Sequence, residues 1–130
     1  MGKVYLTNEF TFDAAHRLHN YDGKCGQTHG HTYKLQVTIC GEPNKKTGLL
    51  VDFNDLKGLV DSAILKKVDH KDLTEYFDLD PFFKGMNTTV ENLIVWCWTV
   101  MEHALPAFIR LYEIKLWETP TCYATYRGGG

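Results

Sequence analysis

Two stretches of period-two alternation near the N-terminus constrain this chain more than anything else in it. In residues 3–14, Val4, Leu6, Phe10, Phe12 and Ala14 share one parity, and Tyr5, Thr7, Glu9, Thr11 and Asp13 share the other. Successive side chains of a strand point to opposite faces, so the pattern predicts a half-buried β-strand. Residues 31–39 repeat it, with Tyr33, Leu35, Val37 and Ile39 on one face. His16 continues the apolar parity of the first stretch, and His29 and His31 extend that of the second backwards. All three imidazoles then project from the apolar side, and if the strands pair they meet where the core-facing surface ends.

Neutral imidazole is the commonest zinc ligand, and three protein ligands leave the fourth tetrahedral corner for water or substrate. His16, His29 and His31 are therefore candidate ligands of a catalytic Zn²⁺, with Gly30 allowing close backbone approach. The alternative is three ordinary packing or surface histidines. Cys25, in the run Cys25-Gly26-Gln27-Thr28-His29-Gly30-His31, is a candidate nucleophile or base within reach of that ion.

Further along, 41–48 reads as a turn, followed by a helix with the stripe Leu56, Leu59, Val60, Ala63 and Ile64, capped by Asp52 or Asn54. Residues 69–87, broken by Pro81 and Gly85, read as mostly irregular. Thr88-Thr89-Val90-Glu91 has the form of a capping box opening a second helix, which Pro106 ends. Residues 109–118 and 121–127 read as two more strands. The order β-β-α-α-β-β predicts a single α+β domain over 1–130: a four-stranded antiparallel sheet with two helices on one face. Its two open edges invite pairing between subunits, so a homo-oligomer is expected.

Lys and Arg number 14 against 16 Asp and Glu, for a net charge of -2. With no basic block, neither nucleic acid nor an anionic membrane is an expected partner. No signal peptide or transmembrane run is visible. The four cysteines, at 25, 40, 97 and 122, form no CxxC pair, which fits a reducing, cytoplasmic setting.

Two other features have both a chemical and a plain reading. Asp69-His70 is either a proton relay, the carboxylate orienting the imidazole, or a turn cap beside an exposed histidine. Glu118 continues the parity of Tyr112, Ile114 and Leu116 at a strand end. There it either accepts two parallel N–H bonds from an amidine-like ligand edge or is a solvated or salt-bridged glutamate at a turn.

Taken together, Phe12-Asp13-Ala14-Ala15-His16, Cys25-x3-His29-Gly30-His31, Val51-Asp52-Phe53, Val68-Asp69-His70, Thr88 to Asn92 and Glu118-Thr119 span nearly the whole chain. In that order they resemble the 6-pyruvoyl-tetrahydropterin synthase/6-carboxy-tetrahydropterin synthase family of the tunnelling fold. The resemblance implies a zinc-dependent lyase, with Zn²⁺ on His16, His29 and His31. It makes Cys25, Asp69 and His70 the proton-transfer set and Glu118 the anchor of a small-molecule pterin. It further implies trimers, commonly paired into hexamers, with active sites at subunit junctions.

The short gap between Cys25 and His29 and the ending Glu118-Thr119-Pro120-Thr121-Cys122 resemble the bacterial 6-carboxy branch, which serves queuosine precursor synthesis. The alternatives are a 6-pyruvoyl-type or related side-chain-cleaving enzyme and, from another class, a non-catalytic zinc-stabilised interaction module. The sequence departs from the family where Thr88 replaces a frequent proline and Thr74 a frequent asparagine.

Overall fold

The computed structural model describes residues 2–129, apart from the side chain of Cys25. The alternating stretches form two long strands, β1 (Val4–His16) and β2 (His29–Gly41), the first running on to His16 and the second extended by two residues at each end relative to the pattern. They pair antiparallel from Val4↔Gly41 to His16↔His29, so the site-bearing ends are in register. Chain order continues with β3 (Lys71–Asp72), β4 (Arg110–Thr119) and β5 (Cys122–Tyr126).

The sheet runs β3-β1-β2-β4-β5 and has five strands rather than the expected four. The extra member, β3, pairs parallel with β1 at Ala14 and Ala15. Two residues carry no alternation to read, and only their tertiary position makes them a strand.

Among the described residues the helices number three rather than two. The first, α1 (Phe53–Val60), is capped by the Asp52 carboxylate, which accepts from the Asn54 N–H. It continues through a π-helical stretch, Asp61–Leu65, into a last turn, Lys66–Val68, carrying its apolar stripe along. The second, α2 (Leu73–Leu79), lies in the segment expected to be irregular. Asp72 caps it by accepting from the Thr74 N–H, and Leu73 and Phe77, one turn apart, are its buried anchors. The third, α3 (Val90–Ala104), is capped by Thr89, whose hydroxyl accepts from the Asn92 N–H. The cap is thus one residue later than the capping-box reading places it.

One face of the sheet carries the core. Phe12 and Ala14 of β1, Tyr33 to Ile39 of β2 at odd positions, and Leu111, Ile114 and Leu116 of β4 are buried with Leu56, Val60, Leu73, Phe77, Leu93 and Trp96 from the helices. The other face shows Thr11, Asp13 and Thr32 to solvent. In β4 the pairing shifts between Thr38↔Glu113 and Ile39↔Leu111, which leaves Tyr112 as a bulge. Tyr112 therefore does not share the face of Glu118 as its parity implied. Leu111 takes the core position, and Tyr112 meets Tyr5 edge-on at 4.7 Å.

Candidate metal centre

The β1–β2 register sets the geometry. His16 lies directly across from His29, and Ala14 lies across from His31. The three rings converge, with centroids 4.6 Å (His16–His29), 5.2 Å (His16–His31) and 4.9 Å (His29–His31) apart. One ligating nitrogen from each lies within 4.8 Å of the others.

Hydrogen bonds decide which nitrogens face inward. His16 Nδ1 is 2.8 Å from the Thr88 carbonyl oxygen, and His29 Nδ1 is 2.8 Å from that of Gln27. A carbonyl only accepts, so each Nδ1 carries the proton and each Nε2 keeps its lone pair for a ligand. His31 Nε2 is buried with no hydrogen-bond partner among the described residues. A buried polar atom without a partner is costly, and a divalent cation satisfies it. Burial of His16 pushes its pKa below the ordinary value, against the opposing effect of the Thr88 carbonyl, and so favours the neutral, ligating form. These residues would fit a divalent metal ion.

Sequence reasoning missed the outer support of this site. Thr88 gives His16 its carbonyl and brings its hydroxyl to 3.2 Å of the same Nδ1. Thr74 accepts from the Arg17 N–H at 3.1 Å. The two threonines that depart from the family pattern thus both grip the end of β1. Asn87 adds a third hold, its side-chain oxygen accepting from the His19 N–H at 2.6 Å. No local pattern announces contacts that cross 57 to 72 residues of chain.

Glu118 joins the cluster, as its position at the end of β4 suggested. Its Oε1 is 3.9 Å from His31 Nε2, and the side chain is 30% exposed. A cavity of about 500 Å³ is lined by the three histidines, Glu118, Tyr21 and Lys24, and by the start of α3. Under the rings lies Tyr33, whose phenol is pushed up by burial and then by the Glu118 charge, so it stays protonated.

Asp69 and His70 are a close pair, but they lie in a different cluster. His70 Nδ1–H donates to Asp69 Oδ1 at 2.9 Å, and the same oxygen accepts the Asp13 N–H at 3.0 Å. The His70 N–H donates to the Asp13 carbonyl at 2.6 Å, holding His70 at a left-handed φ of 60°. The pair stands at the edge strand, beside a cavity of about 580 Å³ that also touches Asp13, Thr32 and His31. It does not line the cavity of the three histidines. The side chain of Cys25 lies outside the described residues, while its backbone belongs to a single 3-10 turn, Lys24–Gly26, ahead of β2. A larger cavity, about 730 Å³, opens at the other end of the sheet near Trp98 and Arg110 and contains none of these groups.

This is an α+β scaffold with a three-histidine cluster that could hold a metal ion at the end of its sheet and a carboxylate at the rim. A family model described as 6-pyruvoyl tetrahydropterin synthase matches residues 5–129, and the chain belongs to that family. It is 38% identical over 137 residues to the 6-pyruvoyl tetrahydrobiopterin synthase of Poecilia reticulata, covering 95% of this chain and 90% of that protein. It is 34% identical over 139 residues to the 6-carboxy-5,6,7,8-tetrahydropterin synthase of Haemophilus influenzae, covering 94% and 97%. The solved structure of Caenorhabditis elegans 6-pyruvoyl tetrahydropterin synthase superposes with a TM-score of 0.83 at 32% identity, covering 99% of this chain and 98% of that one. Relatives of both names lie at similar identity, so similarity alone does not separate the two activities.

Proposed function

We propose that this protein is a zinc-dependent 6-carboxy-5,6,7,8-tetrahydropterin synthase. With consumption of one water, it converts 7,8-dihydroneopterin triphosphate to 6-carboxytetrahydropterin, acetaldehyde and triphosphate on the route to queuosine precursors. The observation that carries the reading is the convergence of three imidazoles with their Nε2 atoms free, Glu118 standing 3.9 Å from one of them. The 6-carboxy branch is favoured by the three-residue gap between Cys25 and His29 and by the Glu118-to-Cys122 ending.

His16, His29 and His31 hold the zinc, which supplies Lewis acidity toward the hydroxyls of the substrate side chain. Glu118 accepts two N–H bonds from the pterin edge and fixes the ring. Cys25, as thiolate, takes a proton from the side chain, and the Asp69–His70 pair exchanges protons on the other side of the substrate. Because that pair and the histidines occupy separate clusters within one chain, the complete site brings Asp69–His70 from a neighbouring subunit across the open sheet edge. Assembly is therefore part of the activity, as a trimer or a hexamer of two trimers in the cytoplasm.

A second reading, the 6-pyruvoyl reaction without carbon–carbon cleavage, is supported by the animal relatives at similar identity. Incubation with 7,8-dihydroneopterin triphosphate tests both. Acetaldehyde with 6-carboxytetrahydropterin supports the first, a retained three-carbon side chain supports the second, and unchanged substrate refutes both.

A further inference from the structure

Five buried side-chain polar atoms lack a hydrogen-bond partner among the described residues: Asn8 Nδ2, His31 Nε2, Tyr33 OH, Trp96 Nε1 and Thr119 Oγ1. The metal site accounts for His31. Tyr33 is the more informative case, because its side chain is fully buried and phenylalanine would fill the same space without stranding a hydroxyl. Phe12 already stacks on its ring, with centroids 4.9 Å apart and planes 11° from parallel, so packing alone does not call for the oxygen.

The strand register shows what the oxygen serves. β2 and β4 pair at Leu35↔Leu116 and Lys34↔Trp117. Tyr33 and Glu118 follow directly on the last of these pairs, Glu118 at the residue where the β4–β5 register shifts, which brings the two side chains near each other across the strands. Tyr33 and Glu118 also border one cavity of about 550 Å³, together with His31 and Trp117. Among the described residues the one ionic partner of Glu118 is His31, at 3.9 Å.

We propose that Tyr33 is a positioning residue for Glu118. When the cavity is occupied, its hydroxyl donates to one carboxylate oxygen and turns the carboxylate edge toward the N–H donors of the ligand. This rests on the reading of Glu118 as the pterin anchor.

The test is equilibrium binding of 7,8-dihydroneopterin to zinc-loaded wild type, Tyr33→Phe, Glu118→Gln and the double variant, with zinc content and melting temperature measured on each. Tyr33→Phe is expected to keep its zinc, to melt no lower than wild type, and to bind about tenfold more weakly, as for loss of one hydrogen bond to a charged group. In the Glu118→Gln background the same change is expected to have less than about a twofold effect, since coupled residues are not additive. Unchanged affinity in Tyr33→Phe, or an undiminished loss in the double variant, overturns the role of Tyr33 and leaves the anchor standing. Full affinity in Glu118→Gln removes the anchor and this inference with it. A Tyr33→Phe protein that misfolds also overturns the inference, because the hydroxyl would then serve the fold rather than Glu118.

Discussion

His16 and Thr88, 72 residues apart in sequence, are joined by a 2.8 Å hydrogen bond from the imidazole Nδ1–H to the backbone carbonyl. That contact ties the end of β1 to the segment just before α3, and it presents Nε2 to the space shared with His29 and His31. The segment is itself pinned. The Asn92 side-chain N–H donates to the Asn87 carbonyl at 2.9 Å, and Thr89 caps the helix behind it. The tautomer and orientation of the His16 ring thus depend on how α3 begins, because an outer hydrogen bond fixes both.

The cap is accordingly worth testing on its own. Thr89→Ala removes the oxygen that accepts the Asn92 N–H and should cost about 1 kcal/mol of stability. Urea unfolding of the metal-free protein checks this, and an unchanged midpoint would show that solvent replaces the cap.

Acid should destabilise the metal-free protein through His16. Burial lowers its pKa in the folded state, whereas in the unfolded chain it titrates near about 6.5. As pH falls through that value the unfolded chain takes up a proton that the folded one refuses, so stability is full above it and declines below it. Urea midpoints should therefore fall between about pH 7.5 and about pH 5.5, and His16→Gln should flatten that slope. A midpoint that rises on acidification would contradict the assignment.

Cys25→Ala should abolish turnover while leaving zinc content intact. Asp69→Asn breaks the pairing of carboxylate and imidazole at His70 and should lower kcat by about a hundredfold, the lower end of general acid–base contributions. Metal analysis alongside steady-state kinetics separates these effects from loss of the ion. A fully active Cys25→Ala enzyme would remove the thiol from its role.

The other thiols should differ sharply in reactivity. Cys97 is buried and its pKa is pushed up by desolvation, whereas Cys122 is exposed and its pKa is lowered by the neighbouring hydroxyls of Thr119 and Thr121. Alkylation of the native protein near neutral pH should label Cys122 well before Cys97, with Cys97 reacting only on unfolding. Peptide mapping over time reads the order directly, and early labelling of Cys97 would contradict its place in the core.

Legibility followed the range of the forces involved. The alternation that marks β1 and β2 is a local property, and it carried the three histidines to one face correctly because their parity runs on from the strands. Glu118 was legible for the same reason, since it comes within 3.9 Å of His31 and lines the cavity of the histidines even though the bulge displaces Tyr112. β3 was not, because its only signal is the tertiary pairing with Ala14 and Ala15. In α2, the Asp72 cap and the one-turn spacing of Leu73 and Phe77 were present in the sequence, but Pro81 and Gly85 close by disguised so short a helix. Thr88 could not be read at all. Its part is a carbonyl aimed at a ring on a distant strand, a role any residue type can fill.

The most direct test of the metal centre is zinc stoichiometry measured together with turnover, in wild type and His31→Ala. Wild type is expected to carry one zinc per chain and to consume 7,8-dihydroneopterin triphosphate, with both lost in the variant and turnover lost from wild type on chelation. Substrate conversion that persists in metal-free protein would contradict the account.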